Sequence, residues 1–180
     1  MFRVRFKASL LTVLAVMALF VADDARSESA ACGSIHRHAL NAVGNTRMQV
    51  LLFKVYDAYL YTNTGVYPDY DDLELELNYL RTIKSVALVN ATAEEWNKQG
   101  FTQNEQSTAW LEQLKNMWPD VSSGDCLVAQ HSQGKGISFY NKQGFLGEVK
   151  GQEFAEQFLA IWLSSKSSFR RNRNELVGLN

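Results

Sequence analysis

Few residues of this 180-residue chain could do chemistry, and Arg47 stands first among them. It precedes a run that is nearly all apolar or aromatic: Val50, Leu51, Leu52, Phe53, Val55, Tyr56, Tyr59, Leu60 and Tyr61. A guanidinium at the mouth of an apolar groove can hold a carboxylate through two parallel N–H bonds while the groove takes its hydrocarbon tail. The same position also fits an exposed strand arginine beside a turn. His36 and His38 sit two apart, so a strand would turn both to one side. A metal needs three or four ligands with supporting partners, and the remaining histidine, His131, is distant in sequence, so no metal is expected. No cofactor is expected either, because the chain carries no Gly-x-Ser-x-Gly elbow, no Gly-x-x-x-x-Gly-Lys phosphate loop and no His-Glu-x-x-His pair. Gly134-Lys135-Gly136 reads as a turn into a strand. Glu74 and Glu76 alternate with leucines and read as the wet face of another.

The elements that must position Arg47 follow from periodicity and turn chemistry. Residues 34–41 and 47–62 read as extended segments around the turn signal Gly44-Asn45. Leu73, Leu75, Leu77 and Tyr79 recur at period two, the pattern of a strand with one face buried. Thr92 with Glu95 three residues later has the form of a capping box opening a helix that ends at Gly100. Trp110, Leu111, Leu114, Met117 and Trp118 mark a second helix that Pro119 stops. Strands return over residues 126–131, 136–140 and 145–150, the last two joined by Asn141-Lys142-Gln143-Gly144. Residues 152–163 and 169–177 read as the last two helices. Grouped strands and grouped helices imply an α+β fold, an antiparallel sheet covered on one face by helices.

Composition narrows the setting. A chain that is 46% hydrophobic and 21% charged, with two prolines, is neither disordered nor collagen-like. Arg3, Arg5 and Lys7 precede an uncharged apolar run over residues 8–22, the pattern of a secretory signal, so residues 1–31 are expected to be a signal peptide and 32–180 the folded domain. A retained amino-terminal anchor is the alternative. Removing 1–31 takes away Arg3, Arg5, Lys7 and Arg26 together with Asp23, Asp24 and Glu28, leaving 14 Lys+Arg against 16 Asp+Glu. That near balance speaks against a nucleic-acid partner, which needs clustered cations to neutralise phosphates. Export exposes the chain to oxidising conditions, so Cys32 and Cys126 are candidates for one disulfide, with two unpaired thiols as the other reading. Lys166, Arg170, Arg171 and Arg173 form a basic cluster that fits a solvated helix face or a weak contact with anionic lipid head groups.

Two stretches carry a resemblance. Gly44-Asn45-Thr46-Arg47, with Phe53-Lys54-Val55-Tyr56 and Tyr59-Leu60-Tyr61, resembles the Gly-x-x-Arg and Phe-Lys-Val-Tyr-x-x-x-Leu-Tyr run of the bacterial chalcone isomerase-like family. The run Phe145-Leu146-Gly147-Glu148-Val149, then Phe154, Phe158, Ile161-Trp162-Leu163-Ser164, Lys166, Ser168, Arg173, Leu176 and Gly178, is similar to that family's carboxy-terminal half. The resemblance implies an open-faced β-sandwich, a large antiparallel sheet against a layer of helices. Of the residues with which true chalcone isomerases cyclise a flavanone precursor, only the arginine carries over, as Arg47. Lys54, Ser85, Thr92 and Ala160 fall where the family's threonine, tyrosine, asparagine and last hydroxyl would stand. Other branches of the fold bind fatty acids. The expectation is therefore a periplasmic, non-catalytic protein that binds a small amphipathic acid such as a fatty acid. Arg47 would anchor the head group, and Tyr56, Tyr59 and Phe158 would line the cleft. The alternatives are an intramolecular lyase or isomerase acting on an enone, with Arg47 stabilising an oxyanion and a tyrosine or Lys54 moving the proton, and a cell-envelope interaction module without a small ligand.

Overall fold

The computed structural model describes residues 39–179. The expected signal peptide, Cys32, His36 and His38 lie outside the described residues. The elements run β1 (Asn41–Val50), β2 (Phe53–Thr62), β3 (Asp72–Tyr79), α1 (Ser85–Gln99), α2 (Glu105–Met117), β4 (Cys126–Ser132), β5 (Ile137–Asn141), β6 (Gly144–Val149), α3 (Gln152–Leu163) and α4 (Arg170–Leu176). The six strands form one antiparallel sheet in the order β1-β2-β3-β4-β5-β6, with α1 and α2 carrying the chain between the neighbours β3 and β4. This is the α+β arrangement expected of the sequence. Helix-facing Leu60, Leu73, Leu75, Ile137 and Phe139 meet Trp96, Leu114 and Phe154 in a single core. Trp96, Trp110 and Phe154 stand edge to face with centroids 5.5–6.4 Å apart, the packing that the ring quadrupole favours.

Three local expectations are corrected. The first hairpin does not turn at Gly44-Asn45, because β1 runs straight through them and turns at Leu51-Leu52, where Val50 pairs with Phe53. Gly44 instead lets α4 approach: a Cβ there would lie 2.4 Å from the carbonyl oxygen of Glu175 and 2.6 Å from that of Leu176. Thr46 and Asn172 fasten the same contact, the Thr46 hydroxyl donating to Glu175 Oε2 at 2.5 Å and Asn172 Nδ2 to Thr46 Oγ1 at 2.8 Å.

The second correction concerns α1, which starts at Ser85 rather than Thr92. Its first N–H is satisfied from a distant loop, Ser85 N donating to Asp120 Oδ1 at 2.9 Å, while the Thr92 hydroxyl donates to Leu88 O inside the helix. The reciprocal capping box belongs to α2, between Asn104 and Ser107. The third is that Glu74 and Glu76 are not wet: they are 0% and 2% exposed, and Gln130 Nε2 donates to Glu74 Oε2 at 2.9 Å. Alternation along β3 assigns the two faces without saying which of them meets solvent.

Candidate ligand cavity

Between the helix-covered face of the sheet and the helices α1 and α3 lies a cavity of about 460 Å³, within the usual range for small-molecule sites. Leu75, Leu77, Ala129 and Phe139 form its floor, and Phe158, Ile161 and Trp162 of α3 form one wall. Val50, Ala91, Glu94 and Lys98, all exposed, lie at its rim. Strand parity and helical spacing converge here. Met48 and Tyr56 pair across β1 and β2 and face the helices, and Leu88, Ala91, Thr92, Glu95 and Lys98 recur at three- and four-residue steps along α1.

The structure brings only part of the expected site together. Tyr56 and Phe158 line the cavity, whereas Arg47 and Tyr59 do not. Arg47 alternates with the inward-facing Met48 and so points from the opposite face, where its Nε and Nη2 donate to the two carboxylate oxygens of Asp57 at 2.6 and 2.8 Å. Its positive charge is already held bidentately by its cross-strand neighbour. The expectation that Arg47 anchors a head group at the cleft is therefore corrected, and Tyr59 belongs to Arg47's side of the sheet. The arrangement of Arg47 with Lys54 proposed for an isomerase is likewise not assembled at the cavity.

Several lining residues carry no signal in the strand reading. The Trp162 indole N–H donates to the Tyr56 hydroxyl at 2.9 Å across the cavity wall. Glu95 is buried beside them. Its Oε1 accepts from Ser168 N at 2.9 Å and Gln99 Nε2 at 3.2 Å, and its Oε2 has no hydrogen-bond partner among the described residues. Lys98 is the one cation among the residues lining the cavity. The spacing of Leu88, Ala91, Glu95 and Lys98 would have grouped them on one helix face, had the helix been started seven residues earlier.

Burial pushes the Tyr56 phenol up to about 12, against the Trp162 hydrogen bond that lowers it and with the charge of Glu95 adding to the rise. Burial drives Tyr79 higher still, with Tyr56 adding to it. Folded values above the ordinary tyrosine value mean that this contribution to stability is complete below about pH 10 and is lost as pH rises through the folded values. A tyrosinate absorbance titration should leave both phenols neutral at about pH 11 and ionise them together with loss of structure. Ionisation of all seven tyrosines near the ordinary value in a still-folded protein would contradict this burial.

Cys126 is buried and is not a free thiol, while Cys32 lies outside the described residues. His131 is buried, with Nδ1 3.0 Å from the carbonyl oxygen of Gly136. The basic cluster is partly committed: Arg171, itself exposed, pairs with Glu175 at 3.0 Å and Arg173 Nε donates to Leu163 O at 3.1 Å, while Lys166 and Arg170 are also exposed.

The family described as chalcone isomerase-like matches residues 21–178. A solved fatty-acid binding protein of Arabidopsis thaliana superposes with a TM-score of 0.62 over 78% of this chain and 88% of that one, at 12% identity, a likeness of fold. No curated protein matches the chain by sequence.

Proposed function

The chain belongs to the chalcone isomerase-like family, and we propose that it is a non-catalytic carrier of a small amphipathic acid, such as a fatty acid, held in the cavity between sheet and helices. The observation that carries this reading is the cavity itself. Its walls are apolar and aromatic from β1, β3, β5 and α3, and Lys98 is the one cation lining it, at a rim that also carries Glu94. The fatty-acid binding neighbour with the same fold adds support. In this reading the hydrocarbon tail lies along Leu75, Leu77, Phe139 and Phe158, and the carboxylate stays at the rim with Lys98. The buried carboxylate of Glu95 disfavours an acid placed deeper, where no cation among the lining residues offsets it. The signal-like segment 1–31 makes the exported, periplasmic form the acting one in the same proposal.

Lys98→Glu tests the head-group assignment. It should weaken binding of a fatty acid about five- to tenfold while leaving the corresponding fatty alcohol nearly unchanged, because a rim charge acts on the charged ligand alone. Equal loss for acid and alcohol would remove Lys98 from the assignment. No loss for either would place the carboxylate elsewhere.

A further inference from the structure

We propose that the hairpin joining β1 and β2 is a lipid-surface anchor that sets the cavity rim against a membrane. Its tip consists of four successive apolar residues, Val50, Leu51, Leu52 and Phe53, all exposed, with Leu51 and Leu52 at 88% and 94%. Two-residue hairpin turns favour Asn-Gly and similar pairs because the backbone must enter the left-handed region. Here Leu51 occupies that region at φ 56. A bulky side chain held there by a turn, and bared to solvent, is costly both in backbone conformation and in apolar exposure. Neither cost serves the hairpin, since a polar turn would close it better.

Charge at this end selects the partner. Residues 48–56 and 80–88, the two segments that meet here through the Leu80 N–H···O Val55 bond, carry Lys54, Arg81 and Lys84 and no carboxylate. The Arg81 guanidinium lies 5.1 Å from the centre of the Phe53 ring. Asp120 pairs with Lys84 at 2.7 Å, and at the cavity rim the exposed Glu94 stands with Lys98 on α1. An apolar tip collared by Lys54 and Arg81 fits an anionic bilayer surface, with the leucines at the acyl boundary and the cations among the head groups. A second copy docked tip to tip would bring the same cations against each other. Val50 belongs both to the tip and to the cavity rim, so a docked hairpin opens the cavity toward lipid.

The test is flotation of the processed protein with vesicles of phosphatidylglycerol and phosphatidylcholine, beside vesicles of phosphatidylcholine alone. The parent should float with the anionic vesicles. Leu51→Asn with Leu52→Gly, residues the turn prefers, should cut the bound fraction about tenfold or more without lowering Tm. Lys54→Glu with Arg81→Glu should abolish the preference for anionic vesicles. A parent that floats with neither vesicle, a turn variant that floats as the parent does, or a tip-dependent dimer in lipid-free solution would overturn the anchor. Ligand carried by the same preparations reads the cavity separately, so the two proposals fail independently.

Discussion

Phe158→Ala is expected to lower the stability of the fold by about 3–5 kcal/mol, the range for truncating a buried phenylalanine. The ring is 2% exposed and stands 5.3 Å from Phe139, 5.6 Å from Phe154, 5.2 Å from Trp162 and 6.0 Å from Trp118, so four aromatic contacts are lost together. The same ring forms part of the cavity wall, and removing it joins the vacated volume to the cavity. Denaturant melts of parent and variant measure the first effect. The second should appear as a shift of preference toward longer or bulkier ligands in competition. A loss of stability below about 1 kcal/mol would mean that Phe158 does not bridge sheet and helices as described.

Where the pattern was set by local periodicity, it was legible. The span of α3 follows from an apolar stripe that starts after Gly151, and β5 and β6 follow from alternation on either side of a two-residue turn between Asn141 and Gly144. The division of the first hairpin was not legible, because its turn residues are leucines and its glycine serves a contact with α4 more than 130 positions away. That error reached the site. Reading residues 47–62 as one strand put Arg47 at the head of the apolar face, whereas in a period-two strand Met48 is the residue that turns inward. The start of α1 was hidden for a related reason, since its capping carboxylate, Asp120, lies 35 residues downstream. A helix begun at Thr92 leaves Leu88 and Ala91 outside it and makes Thr92 and Glu95 a cap, whereas in the structure all four line the cavity. Tyr56 and Phe158 line the cavity, whereas Tyr59, three positions from Tyr56 on the same strand, falls on the other face, because grouping the aromatic residues of β2 does not assign its parity.

Ala91→Trp is expected to empty the cavity. Ala91 is exposed on α1 and sits at the rim, so an indole there can close the entrance with little change to the core. Arg47→Ala, whose side chain lies on the far face with Asp57, should leave ligand retention unchanged. The decisive measurement is mass spectrometry of an organic extract from the purified protein, beside Ala91→Trp and Arg47→Ala prepared identically. The carrier account predicts a near-stoichiometric acidic lipid in the parent and in Arg47→Ala, falling to about a tenth or less in Ala91→Trp. An empty parent extract, or an Ala91→Trp protein as fully loaded as the parent, would contradict it.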